Sequence, residues 1–245
     1  MPGTSLGPMH LPDSRTGSDA VIRPARPGVL RVCAHVPAGP ALTGLRVLLI
    51  ADLLVRAAEL RHLQGFAAWE FAGQPEDPER AAALNIHPPS GQTDDPADVH
   101  VVSRDGVADG QGGIVVQAGD VTGHEEALAR PDPLALRLAL LSRPHHQPVE
   151  VTDDDLTEAG VTLRRWRQQV AGWAESPSRP VPEPLAVALG TALDGLDTGA
   201  MLALLRGPAS SDDLAPGAKF ETFVYADRIL GLDLGRDIGR RVERG

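Results

Sequence analysis

Residues 132–173 read DPLALRLALLSRPHHQPVEVTDDDLTEAGVTLRRWRQQVAGW, and this stretch decides the fold. Asp132-Pro133 is a helix start, followed by Leu134, Leu138 and Leu141 at helical spacing. A loop carrying Pro144, His145, His146 and Pro148 leads through Val149-Glu150-Val151 to a second start signal. There Thr152 can accept from the backbone N–H three residues on while Asp155 reaches back, a capping-box variant. Leu156, Ala159, Leu163, Trp166, Val170 and Trp173 then recur at three- and four-residue steps, which puts them on one stripe of a helix. The stretch predicts a helical hairpin of a bundle.

Downstream, the pattern predicts helices over 183–193, 198–206 and 220–230, with loops at 176–184 and 207–217. Upstream the period changes. Val29 to Ala34 reads as a buried strand, 42–63 as a helix apolar on most sides and closed by Gly65, and 67–71 as a second strand. Strand, helix, strand is a βαβ unit, half of a doubly wound nucleotide fold. Residues 78–84 predict a short helix and 124–129 another. Residues 99–103 and 113–116 predict strands joined by a glycine-rich turn, expected as a hairpin rather than a phosphate cradle because no helix follows it. Residues 1–28 are a leader hairpin or a tail, with Asp13, Thr16 and Gly17 marking a turn and Val21-Ile22 a short strand.

Composition sets bounds. The 245 residues are 42% hydrophobic but only 3% aromatic, so the core is aliphatic. A formal charge of −10 argues against adhesion to nucleic acid or membrane surfaces. Cys33 stands alone, which excludes an internal disulfide and an all-cysteine metal site. Lys219 is the single lysine, so no lysine-bearing phosphate loop lies upstream of it. With neither a signal peptide nor a membrane-spanning run in view, the expectation is a cytoplasmic protein.

Asp132-Pro133, Leu136-Arg137, Leu140-Leu141-Ser142, His146 and Pro148 together resemble the helix that follows the second signature motif of cysteinyl-tRNA synthetases. The mycothiol-pathway cysteine ligases look equally similar, particularly over Leu163-Arg164-Arg165-Trp166-Arg167. Residues 192–198, Ala-Leu-Asp-Gly-Leu-Asp-Thr, are similar to a turn between later bundle helices of the family. Leu84 to Pro89 resembles the entry to its connecting peptide. The resemblance implies an α/β + α chain. A truncated Rossmann-like class I catalytic domain (29–122) is followed by a helical bundle (123–245) corresponding to the stem-contact and anticodon-binding region.

Class I synthetases meet the charge that develops on ATP with a His-Ile-Gly-His motif and a lysine-bearing loop. Aligning Asp52 with the family's helix places the first motif at Ala41-Leu42-Thr43-Gly44, without either histidine. Working back from Gly119-Asp120 places the second at 113–117, GIVVQ, without a cation. Cys33 matches the first of the zinc ligands that hold the cysteine substrate's thiolate in the family. The other ligands come from a segment with no counterpart here, so a plain buried thiol beside His35 is favoured over zinc. The remnant pocket is expected at Cys33, His35, Thr43, Gly44 and Asp120, with no catalytic residue and no metal. Arg164, Arg165 and Arg167 are placed on the outer side of the bundle helix, where a solvated face is favoured over tRNA phosphate contact. His145-His146 reads as loop packing, Asp153 to Asp155 as helix N-terminal charge, and Arg236, Arg240, Arg241 and Arg244 as a solvated tail.

These features lead to a non-catalytic cysteinyl-tRNA synthetase-like paralogue that acts as a binding or regulatory partner of a protein or of tRNA. One alternative is a minimal ATP-dependent cysteine ligase drawing cations from Arg46, Arg104 or a partner. The other is a tRNA-binding module. An exposed sheet edge would favour a homo-oligomer.

Overall fold

The computed structural model of the protein describes residues 8–73, 78–90, 96–106, 108, 112–123 and 131–240. The leader forms a hairpin in which β1 (His10–Asp13) pairs antiparallel with β2 (Ser18–Val21). Four strands follow in one sheet, β3 (Val29–Val36), β4 (Gln64–Phe71), β5 (Val99–Ser103) and β6 (Ile114–Ala118). The order is β4-β3-β5-β6 and every pairing is parallel. Helix α1 (Ala41–Glu59) crosses from β3 to β4 and buries nearly its whole surface, because sheet, α2 (Pro78–Ala83) and later helices enclose it. This is the α/β arrangement that the βαβ pattern predicts.

Two expectations are corrected. The strands at 99–103 and 114–118 are parallel neighbours, not a hairpin. Parallel pairing requires the chain to return to the starting end of β5, and Ala108 on that return packs with Val102 and Val115. Gly65 does not close α1. The helix ends at Glu59, and His62 takes the left-handed turn at φ 61°. Gly65 lies inside β4, where an added Cβ would stand 2.8 Å from Val55 Cγ1 of α1, so close helix–strand packing explains the glycine. The helix predicted at 124–129 and the centre of the glycine turn, Gly110-Gln111, lie outside the described residues.

The second half is helical. It contains α3 (Leu134–Leu141), α4 (Asp153–Trp173), α5 (Glu183–Asp194), α6 (Thr198–Ser210) and α7 (Pro216–Leu230). A short parallel pair, β7 (Val121–Gly123) with β8 (Val149–Val151), ties its entry to the sheet half. The capping box forms as expected: Asp155 N–H donates to Thr152 Oγ1 at 3.2 Å, and Thr152 N–H donates to the Asp155 carboxylate at 3.0 Å. Leu156, Ala159, Leu163, Trp166 and Val170 are buried on the predicted stripe, and Trp173 packs partly buried beside them. Trp166 and Trp173 both meet Phe223 of α7 edge-on.

One apolar cluster runs from Leu30 and Leu48 through Leu141 and Leu163 to Ile229, so the two halves share a core. Two buried arginines fasten it. Arg137 of α3 donates to Asp52 of α1 and to the carbonyls of Leu84, Asn85 and Leu230. Arg167 of α4 donates to Asp132 and to the carbonyls of Leu232 and Asp233. Arg167 is therefore not on the outer side of the bundle helix. It sits four residues after Leu163 and beside Trp166, on the flank of the apolar stripe, where polar carbonyls after α7 give its guanidinium enough acceptors to be buried.

Candidate functional site

In an open parallel sheet, ligands bind where strand order reverses, outside the carboxyl ends of the strands. Here the reversal lies at β3, whose neighbours β4 and β5 run off to opposite sides. Successive side chains alternate between faces. Leu30, Val32, Ala34 and Val36 of β3 join the core with α1, which sends Cys33 and His35 to the other face. Register does the rest. Cys33 lies opposite His100 of β5, and His35 lies opposite Glu70 of β4.

The contacts follow from that register. His35 Nδ1 is 2.8 Å from Glu70 Oε2, and His35 Nε2 is 2.9 Å from His100 Nδ1. Cys33 Sγ and one nitrogen of each histidine all lie within 4.8 Å of one another. Burial, reinforced by the Glu70 carboxylate and its hydrogen bond with the thiol, pushes the Cys33 thiol up to about 12. Burial and the neighbouring His35 lower the proton affinity of His100. Beside the cluster is a cleft of about 430 Å³ lined by His35, Glu70, Phe71, Ser103 and Asp105 among others.

The expected remnant pocket is thus divided. Cys33 and His35 stand together at the cleft, joined by His100 and Glu70, which the sequence reading missed. Thr43 and Gly44 are buried at the start of α1, away from the residues that line the cleft. Thr43 Oγ1 accepts the Val121 N–H at 3.1 Å, so its hydroxyl holds β7. Asp120 contributes its carbonyl to Val149 N–H at 2.9 Å, in the same β7–β8 junction. The adjacent Gly119 is forced by close approach, since a Cβ there would meet the Gln147 carbonyl oxygen at 2.2 Å.

The cations that were to substitute for the missing motifs are not equivalent. Arg46 is 1% exposed and donates to the carbonyls of Gly119 and Pro144. It is spent on the junction. Arg104 is exposed beside Ser103 at the end of β5. Arg164 and Arg165 are exposed on α4, unlike Arg167. His145 is buried in its loop, where desolvation, His146 and Arg46 push its ring down to about 4. His146 is exposed, as are Asp153 to Asp155 at the start of α4.

A parallel α/β sheet with a cleft beside its central strands, followed by a helical array, is the architecture these residues define. No family model matches the chain. Curated relatives do. Over 111 residues it is 40% identical to the L-cysteine:1D-myo-inositol 2-amino-2-deoxy-alpha-D-glucopyranoside ligase of Streptomyces griseus, covering 42% of this chain and 25% of the ligase. The ligase of the same name from Thermobispora bispora is 36% identical over 104 residues, with the same two coverages. The cysteine–tRNA ligase of Paracoccus denitrificans is 33% identical over 110 residues, or 45% of this chain and 21% of that enzyme. Over the matched stretch the chain is cysteinyl-tRNA synthetase-like, with similarity to both kinds of cysteine ligase. The chain spans about a quarter of the length of the curated relatives it matches. Among the described residues no helix is long and apolar enough to cross a membrane.

Proposed function

We propose that this chain is a cysteinyl-tRNA synthetase-like paralogue that does not form adenylates and serves as a binding or regulatory partner. The observation that carries the reading is the start of α1. The positions matched to the family's histidine motif are Ala41, Leu42, Thr43 and Gly44, and the hydroxyl among them holds β7. The nearest cation on that helix, Arg46, is buried against backbone carbonyls. The segment matched to the lysine-bearing loop is β6 and its lead-in, Gly113 to Gln117, with Val115 and Val116 in the sheet. At the two matched segments, charge developing on a triphosphate would meet neither the histidines nor the lysine that the family's motifs supply.

The partner is a protein rather than tRNA on this reading. Net charge is −10, and of the three arginines set on the bundle helix only Arg164 and Arg165 reach solvent. Nucleic-acid affinity depends on several exposed cations neutralising phosphates. Calorimetric titration of the chain with ATP and magnesium tests the first half of the proposal. Undetectable heat at millimolar nucleotide is the expected outcome, and saturable binding of ATP would contradict it.

A further inference from the structure

Cys33, His35 and His100 belong to three positions that sequence separates and register unites. The set differs from the one the family resemblance implies: only Cys33 occupies a matched position, and both histidines come from this chain's own β3 and β5. Cys33 and His100 are almost wholly buried, at 4% and 2% exposure, so neither is an incidental surface group.

Glu70 gives the arrangement its direction. By accepting the Nδ1 proton of His35, the carboxylate fixes the tautomer in which Nε2 is a bare lone pair. That lone pair points at His100 Nδ1, 2.9 Å away, with the Cys33 sulfur alongside. A carboxylate behind a histidine whose other nitrogen is presented to further ligands is the usual outer support of a histidine–metal bond. Sulfur plus two imidazoles is a donor set that selects borderline-soft divalent ions over magnesium or calcium. Tetrahedral zinc with these bond lengths would hold its ligand atoms about 3.3–3.8 Å apart. To reach that, the facing nitrogens, 2.9 Å apart, open and the sulfur, within 4.8 Å of both, closes on them.

We propose that Cys33, His35 and His100 bind a zinc-class divalent ion, with Glu70 orienting His35 from behind. The thiol proton is displaced to solvent on binding, so the site gains one thiolate and the metal–sulfur bond replaces the S–H. Three protein ligands leave a coordination position, and because His35 lines the cleft the ion borders it. This proposal holds whether or not the chain forms adenylates, and its test does not measure that reaction.

The chain has one cysteine, which makes the test specific. Chelator-treated full-length protein is titrated with cobalt(II) and followed by absorption spectroscopy, then displaced with zinc. The expected result is a thiolate-to-cobalt charge-transfer band with tetrahedral visible bands, saturating at one ion per chain and erased by zinc. Zinc should also protect the Cys33 thiol from alkylation. Glu70→Gln should keep the spectrum while weakening affinity roughly ten- to hundredfold, and His100→Asn should abolish the tetrahedral bands while circular dichroism shows the fold retained. A wild-type titration without a charge-transfer band would overturn the site. So would cobalt uptake that His100→Asn and Cys33→Ala leave unchanged. Because the first readout uses the unaltered chain, loss of folding in a variant would not rescue the proposal.

Discussion

Asp52 Oδ2 of α1 lies 2.9 Å from Arg137 Nη2 of α3, and both side chains are almost completely withdrawn from water. The same carboxylate takes Arg56 Nε at 2.8 Å and, through its other oxygen, the His87 ring at 2.8 Å. Burial opposes the ionised form, but His87, Arg137 and Arg56 together hold Asp52 well below the usual carboxylate range. This junction joins the sheet half to the bundle. Removing one partner would strand the other charge. Asp52→Asn or Arg137→Met is expected to cost about 3–5 kcal/mol in chemical denaturation, while Asp52→Leu combined with Arg137→Met costs clearly less than the sum of its single changes. Additive losses would show that the pair is not a coupled unit. Since its folded pKa is depressed, Asp52 contributes stability above its unfolded pKa, and that contribution fades as pH falls toward the folded value.

His145 gives a second pH dependence in a different window. Its ring is held near 4 against a usual 6.5, chiefly by burial. The unfolded chain takes up the proton first, so the folded state is favoured fully above about pH 6.5 and loses this contribution as pH falls toward 4. The whole shift corresponds to about 3 kcal/mol. Denaturation midpoints measured between pH 7 and 4 should fall less steeply in His145→Gln than in the native chain. Parallel slopes would remove His145 from the account.

Arg167 and its neighbours separate structure from surface. Arg167→Ala removes the donor of the Leu232 and Asp233 carbonyls and leaves Asp132 with Arg236 and the Leu134 N–H, and is expected to destabilise by about 3 kcal/mol. Arg164→Glu with Arg165→Glu should change stability by no more than about 0.5 kcal/mol. Thermal melts of the two variants decide the matter. Equal effects would contradict the placement of Arg167.

The capping box offers a smaller, local check. Thr152→Ala removes an acceptor from the first turn of α4 and should cost about 1 kcal/mol. An unchanged melting temperature would mean the helix start is held by packing alone.

Which features could be read from sequence follows from how local their causes are. The Thr152–Asp155 box and the Leu156-to-Val170 stripe depend on residues within one helix, and both form as the spacing predicts. The βαβ unit was legible because an apolar helix between two apolar strands has few other ways to be buried. The pairing of β5 with β6 was not. A ten-residue glycine-rich connection suits a hairpin as well as a return along the sheet, and only the register of Val99 against Ile114 chooses between them. Arg167 was misplaced because charge suggested solvent, although its position four residues after Leu163 puts it at the edge of the stripe. His100 was missed altogether: nothing near it in sequence marks it, and it meets Cys33 only through sheet register. The single available signal was a histidine amid a fully buried strand, Val99 to Ser103, which asks for a polar partner.

The sheet edges bear on assembly. Along β6, Ser14 N–H donates to the Val115 carbonyl at 2.8 Å, and Ser14 Oγ accepts from Gln117 N–H at 3.0 Å. The leader therefore covers that edge, and any strand-to-strand pairing between copies is expected at β4. A dimer population that rises with concentration in analytical ultracentrifugation is the expected outcome. A chain that stays monomeric at high concentration would argue against edge pairing altogether.

The measurement that tests the central claim most directly is cysteine-dependent exchange of pyrophosphate into ATP by the purified chain. The account predicts no exchange above the enzyme-free background, with or without added zinc. Exchange that follows the chain through a second purification and disappears in Cys33→Ala would show that adenylation persists without the two signature motifs, and would contradict it.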